Sequence, residues 1–251
     1  VITQRPNTIE SQLAMYIESR TGIAVMTKLQ HVFYDVLQAQ AKGDLSAYLQ
    51  RLTNTAYTDP EWQTVIQALT IGETYFMREK AHFDLLKNEI LPPIIAKRRE
   101  AGNLYLNIWS AGCASGEEAY SLAILLHELL PDIARWHIYL LGTDLNGRSL
   151  GLAREGVYRE WAFRQLDSSF KQTYFDPVPE GWRIKSFLAG RVSFRHVNIL
   201  ETTPSPQFDI ILCRNVLLYF SQMNAIKAET IFHGALAPYG VLILGHAEMI
   251  R

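Results

Sequence analysis

Cysteine is nearly missing from this 251-residue chain: only Cys113 and Cys213 occur, about a hundred residues apart and each alone. Without a CxxC pair or a disulfide framework, the chain is expected to belong to a reducing compartment. Long apolar runs are missing as well. None approaches the ~20 residues needed to cross a bilayer, and the first residues carry no signal-peptide pattern, so the expectation is a cytoplasmic protein with no membrane insertion. Charge of one sign is not in excess, with 24 Lys and Arg against 25 Asp and Glu and a net charge of -1. That balance gives no overall electrostatic reason to expect nucleic acid, and the basic run Lys97-Arg98-Arg99 reads as a solvated helix end. HExxH, GxxxxGK[ST] and GxGxxG are all absent. Zinc hydrolysis, P-loop chemistry and a dinucleotide fingerprint therefore lack their usual sequence support, and the seven histidines show no metal-ligand spacing.

What is present divides the chain in two. Apolar residues fall at helical spacing through the first seventy positions: Ile9, Leu13, Tyr16 and Ile17; Leu29, Val32, Phe33, Val36 and Leu37; Leu45, Tyr48, Leu49 and Leu52. Asp59-Pro60-Glu61 reads as a capped helix start. No residue of this bundle demands a catalytic reading. A helix from Ala81 to Ile90 should be broken by Pro92-Pro93. Beyond it strands and helices alternate. Strands are expected at 104–109, 137–142, 192–199, 208–212 and 241–244, with helices at 119–126, 148–155 and 224–236 and a turn at Pro238-Tyr239-Gly240. Alternation predicts a doubly wound, Rossmann-like α/β sheet, with its ligand beyond the carboxyl ends of the strands. One stretch breaks the pattern: 182–187, a turn at 188–190 and 192 onward read as an antiparallel hairpin joined to the third strand.

The turn after the first strand is Ser110-Ala111-Gly112-Cys113-Ala114-Ser115-Gly116-Glu117-Glu118. Two glutamates stand at the helix start where a pyrophosphate would bind, so the site opposes a phosphate and suits a ligand with a cationic end, such as the ammonium and sulfonium of S-adenosylmethionine. Acids in a first helical turn also complement the helix dipole with no ligand at all, and the pair alone leaves both readings open. Asp144, ending the second strand, stands where a Rossmann-like site holds ribose hydroxyls, or else caps the helix near Asn146. Arg214 and Asn215 follow the apolar fourth strand at the mouth of the sheet, and Tyr219 lies four residues on. A surface arginine and a core tyrosine would be the plainer account.

Five blocks now coincide in order and spacing: Glu73-Thr74-Tyr75-Phe76-Met77-Arg78-Glu79, Trp109 to Ser121, Gly142 to Asn146, Cys213 to Phe220, and Leu244-Gly245-His246-Ala247-Glu248. Together they resemble the CheR-type chemotaxis receptor glutamate methyltransferases across essentially the whole chain. The resemblance implies a class I methyltransferase fold with an all-α N-terminal domain (1–71), a linker lining the site (72–80) and an S-adenosylmethionine-binding catalytic domain (81–251). A small antiparallel β-subdomain is expected as an insert around 178–192.

The resemblance further implies that Thr74, Arg78, Ala111, Gly112, Glu117, Asp144, Asn198, Ile199, Arg214 and Asn215 bind the cofactor. Glu117 is favoured over Glu118 at its methionine end, Asp144 goes to the ribose, and Asn198 with Ile199 to the adenine. Arg78 and Tyr219 are the expected catalytic pair, and the implied partner is the cytoplasmic helical domain of a chemoreceptor, met by a monomer. Ala119 and Ala247 depart from the proline and serine common at those places, and neither needs special chemistry. Because family members run on into a last helix and strands, the chain is expected to be a fragment or the body of a longer fusion. Competing readings are a nicotinamide oxidoreductase, a nucleic-acid methyltransferase (for which Cys213-Arg214-Asn215-Val216 replaces the expected Pro-Pro-aromatic run) and a non-catalytic S-adenosylmethionine-binding scaffold. Neither cysteine has a histidine nearby in sequence, so neither reads as a nucleophile, and His246 reads as pocket lining or packing.

Overall fold

Thr8 starts the first helix, its hydroxyl accepting the Ser11 N–H at 3.3 Å in the way that satisfies an orphan donor of a first turn. In a computed structural model, which describes residues 8–70, 72–201 and 204–249, α1 (Ile9–Thr21), α2 (Val25–Lys28), α3 (Gln30–Gln40), α4 (Leu45–Asn54) and α5 (Pro60–Leu69) follow in order. Leu13, Ile17, Phe33, Tyr48, Leu52, Trp62 and Ile66 meet in one apolar core, each at or near full burial. All but Trp62 and Ile66 are among the residues whose helical spacing marked the elements, and removing them from water holds the bundle together. The expected domain limits at residues 1 and 71 lie outside the described residues. Asp59 does precede α5, but its carboxylate accepts the N–H of Ala56 at 2.9 Å instead of capping the helix. Pro60, set at the first helical position, supplies the start.

The prolines at 92 and 93 do not break the next helix. Helix α6 (Lys80–Leu85) widens into a π-turn (Leu86–Ile90) and continues as α7 (Leu91–Glu100). The wider turn lets the chain pass two residues that lack N–H donors, and the prolines fall in the first turn of α7, where those donors would be orphaned anyway.

The central sheet has β1 (Tyr105–Ala111), β2 (His137–Asp144), β6 (Val192–His196), β7 (Phe208–Cys213) and β8 (Leu236–Leu244) in the order β6-β2-β1-β7-β8. All four pairings are parallel. Helices α8 (Glu117–Leu129), α9 (Gly147–Glu155) and α12 (Gln222–Ala235) connect them. Every residue of β7 is buried, as its nearly continuous apolar run, interrupted by Asp209, requires of a strand covered on both faces. The order reverses direction at β1, and the crevice beyond the ends of β1, β2 and β7 is where such a sheet holds a ligand. The expected turn at 238–240 is absorbed into β8 as an irregularity, Phe208 pairing with Leu236 and Ile210 with Val241.

A second, antiparallel sheet has the order β3-β5-β4, from β3 (Val157–Tyr158), β4 (Phe175–Val178) and β5 (Gly181–Ile184), with α10 (Ser168–Tyr174) leading into β4. This corrects the expected hairpin. Residues 182–184 pair with 175–177 and 157–158, not with 192 onward. The tight connection is Pro179-Glu180, and the chain at 188–190 is instead the end of a helical turn, α11 (Ser186–Ala189), anchored by fully buried Leu188. That turn delivers β6 to the parallel sheet. The antiparallel sheet thus draws on residues from 157 to 184, starting well before the expected insert.

Candidate active site

Strand β1 ends at Ala111, and the N–H groups of Gly112 and Cys113 both donate to the Thr143 carbonyl on β2, at 2.8 and 2.9 Å. Gly112 has φ 79, and a Cβ there would meet Val216 Cγ2 at 2.4 Å. Only glycine lets this loop pass so close to the segment after β7. The loop floors two adjoining cavities. The first, of about 750 Å³, is mostly apolar, with Ile23, Leu69, Val197, Ile199 and Phe220 around Asp144 and Asn198. The second, of about 650 Å³, is polar and holds Thr74, Arg78, Glu118 and Arg214. Gly112, Ala114, Asn215 and Tyr219 line both and mark their junction.

The charges of the second cavity are arranged around Arg214, whose side chain is 1% exposed. Its Nη1 lies 3.2 Å from Glu118 Oε2, Nη2 lies 3.4 Å from Glu79 Oε2, and Nη2 also donates to the Arg78 carbonyl. Burial raises the Glu118 carboxyl above its ordinary range, with Arg214 and the Ser110 hydroxyl (2.7 Å) pulling the other way. Burial also pushes Glu79 up, but the His246 hydrogen bond, Arg214 and Asn215 outweigh it and hold Glu79 below its usual value. Burial and the same arginine keep His82 low. Arg78 Nη1 donates to the Glu73 carbonyl at 2.6 Å, and its guanidinium has no carboxylate within ion-pair distance among the described residues. The second cavity therefore offers an embedded carboxylate and an arginine free to receive an anion.

In the first cavity, both Asp144 oxygens are engaged by backbone: Oδ2 accepts the Ala114 N–H and Oδ1 the Asn146 N–H, each at 2.8 Å. Burial nevertheless raises its carboxyl. Asp144 is not the cap of α9; that is Asn146, whose side chain accepts the Ser149 N–H at 3.1 Å. Asn198 also lines the cavity, its Nδ2 donating to the Arg20 carbonyl and its Oδ1 accepting the Leu200 N–H at 3.0 Å.

Of the residues expected from sequence, Thr74, Arg78, Gly112, Asp144, Asn198, Ile199, Arg214, Asn215 and Tyr219 all line one or both cavities. Two do not. Ala111 is fully buried at the end of β1. Glu117 turns away from both cavities: its carboxylate accepts the Ser115 hydroxyl at 2.8 Å, and burial lifts it to about 7. Glu118 faces the cavity instead, because the left-handed turn at Gly116 (φ 92) starts α8 in the register that points the second glutamate inward. Sequence reasoning also missed Thr21, Ile23 and Leu69, which bring the helical bundle over the first cavity. No signal in the sequence marks them, since they differ in nothing from other bundle residues. Cys113 lies at the second cavity, but its thiol is pushed well above the ordinary value by burial and then by Asp144 and Glu118, so no thiolate forms there.

Against known families, residues 72–251 match the CheR methyltransferase SAM-binding domain. The chain belongs to the CheR methyltransferase family. Its relatives include chemotaxis protein methyltransferase 1 of Pseudomonas aeruginosa, 32% identical over 250 residues (94% of this chain and 88% of the relative). The chemotaxis protein methyltransferase of Escherichia coli is 32% identical over 249 residues (94% and 82%). That of Borreliella burgdorferi is 36% identical over 191 residues (74% and 68%). Membership in the CheR family makes this a methyltransferase with S-adenosylmethionine as its cofactor and a class I methyltransferase fold. The donor set fits that cofactor: a buried carboxylate for a cationic end, an acid between two loops, and an apolar chamber beside it. Among the described residues no helix is long and apolar enough to cross a membrane.

Proposed function

We propose that this methyltransferase forms methyl esters on glutamate side chains of the cytoplasmic helical domain of chemoreceptors, acting as a cytoplasmic monomer. The observation that carries the reading is Arg78, a guanidinium without a carboxylate partner among the described residues, at the polar cavity beside the junction that Tyr219 shares with the apolar one. The names of the relatives, all chemotaxis methyltransferases, supply the class of partner.

S-adenosylmethionine supplies an electrophilic methyl on a sulfonium. The chain's own residues then need do little chemistry. A glutamate acceptor has a pKa of about 4.3, so it is ionised at neutral pH and needs no general base. Arg78 attracts and aims that carboxylate. Glu118 holds the ammonium end of the cofactor, Asp144 its ribose hydroxyls, and Asn198 with Ile199 border the adenine. Thr74, Gly112, Arg214 and Asn215 complete the walls, and Tyr219 fixes the angle of approach at the junction. Catalysis on this reading is positioning and exclusion of water.

Methyl incorporation from labelled S-adenosylmethionine into a receptor cytoplasmic fragment tests the proposal, with Arg78→Ala and Tyr219→Phe beside the wild type. Arg78→Ala is expected to lose at least about a hundredfold in turnover, the scale of a lost charge-assisted contact in the transition state, and Tyr219→Phe less. Incorporation that survives replacement of the fragment's glutamates by alanine refutes glutamate as acceptor. Near-wild-type turnover in both variants removes the two side chains from the mechanism.

A further inference from the structure

The segment after β7 carries Arg214, Asn215 and Tyr219 into the cavities, yet it is neither strand nor α-helix. Asn215 sits in the left-handed region at φ 59, and only a single 3₁₀ turn, Leu217–Tyr219, follows. Such a turn leaves backbone N–H groups without partners in their own element. They are collected by one side chain. Glu248 Oε2 accepts from Asn215 N at 2.9 Å and from Gly245 N at 2.7 Å, while Oε1 accepts from Val216 N at 2.8 Å and from Leu218 N at 3.2 Å.

We propose that Glu248 is a positioning residue of this enzyme, its carboxylate clamping the backbone of segment 214–219 from outside the two cavities that the segment lines. Four N–H groups converging on one carboxylate form an anion nest in which the anion belongs to the protein itself. Glu248 lines neither of those cavities; it lines another hollow with Leu217, Leu218 and Ala225, of which Leu218 also borders the polar cavity. It therefore acts through the backbone it holds and touches no reacting atom. Gly245 is part of the device, because a Cβ there would lie 2.7 Å from Glu248 Oε2 and 3.0 Å from Asn215 N. The clamp also explains how Asn215 keeps a conformation that L-residues avoid: its N–H is fixed from behind while its side-chain Nδ2 reaches Glu79 Oε1 at 3.4 Å in front. From the other flank, Ala24 N donates to the Tyr219 carbonyl at 2.8 Å and Ser221 N to the Gly22 carbonyl at 3.2 Å, so the segment is held between the carboxylate and the helical bundle.

The inference rests on the reading that this segment lines the cofactor site, but not on which protein is methylated. Two measurements test it. In the unmutated protein, the amides of Asn215, Val216, Leu218 and Gly245 should exchange slowly by NMR although they lie outside any ladder; fast exchange there overturns the clamp with no variant needed. Glu248→Gln keeps the shape but presents an amide NH₂ to two of the four donors. Calorimetry with S-adenosylhomocysteine should then show affinity lowered about tenfold or more, the scale of one lost hydrogen bond to a charged group. Amide protection should fall at 215–218 and hold in α12. A merely structural role predicts a lower melting temperature with unchanged affinity per folded molecule, and that result, like wild-type affinity with intact protection, refutes positioning. A protein that binds S-adenosylhomocysteine and shows the clamp yet methylates no receptor fragment refutes the proposed acceptor and leaves the clamp standing.

Discussion

Replacing Glu117 by glutamine tests the effect of burial at the start of α8, because this glutamate is buried, lines neither of the two cavities and has a carboxyl lifted from 4.5 to about 7. The largest cause is burial; the Ser115 hydroxyl at 2.8 Å and the charge of Arg164 recover only part of it. In the unfolded chain the group ionises near its ordinary value, so between those two pH values the folded state binds the extra proton. Stability must then fall as pH rises through that window: the contribution is complete below about 4.5 and lost as pH climbs through about 7. A displacement of that size corresponds to about 3 kcal/mol at about 1.4 kcal/mol per pH unit. Glutamine cannot ionise and keeps an oxygen for Ser115. Urea unfolding at pH 5 and pH 8 should show the wild type losing more stability than Glu117→Gln across the interval, by up to about 3 kcal/mol, the two converging at the acid end. Glu118 and Asp144, also raised by burial, slope both profiles equally and cancel in the difference. Parallel profiles refute the reasoning, as does a variant less stable than wild type at pH 8.

Arg214→Ala should destabilise the fold by about 3–5 kcal/mol in urea unfolding, since it strands Glu118 and Glu79 without their shared cation; a loss under about 1 kcal/mol refutes that account. Gly112→Ala should fold but bind S-adenosylhomocysteine at least about tenfold more weakly by calorimetry, because the new methyl displaces Val216 from 2.4 Å and strains a left-handed residue. Unchanged affinity shows that the loop tolerates a side chain there.

Which helices and strands form was legible because burial is periodic. The spacing of Leu13 and Ile17 or of Tyr48 and Leu52 is a direct imprint of one buried face, and the nearly continuous apolar run of β7 of two. Misreadings arose where local rules compete with tertiary freedom. Pro92-Pro93 breaks a helix only if the turn before it cannot widen, and here a π-turn does. Residues 182–184 carry a strand signal with no statement of partner, and the short Pro179-Glu180 connection, not the chain at 188–190, assigns them to β4.

By itself the sequence determined the α/β alternation and the place of the site, because loops at the carboxyl ends of parallel strands converge whatever the details of packing, and the resemblance of its motif blocks pointed to nine residues that line the two cavities. Only the tertiary structure decided which of two adjacent glutamates lines the polar cavity, since successive residues of a helix point about 100° apart and the start of α8 at Gly116 fixes the phase. It alone brought Ile23 and Leu69 of the bundle over the apolar cavity and the Glu248 carboxylate onto the backbone of the segment after β7. Contacts between residues far apart along the chain leave no periodic trace; they exist only once the chain has folded back on itself.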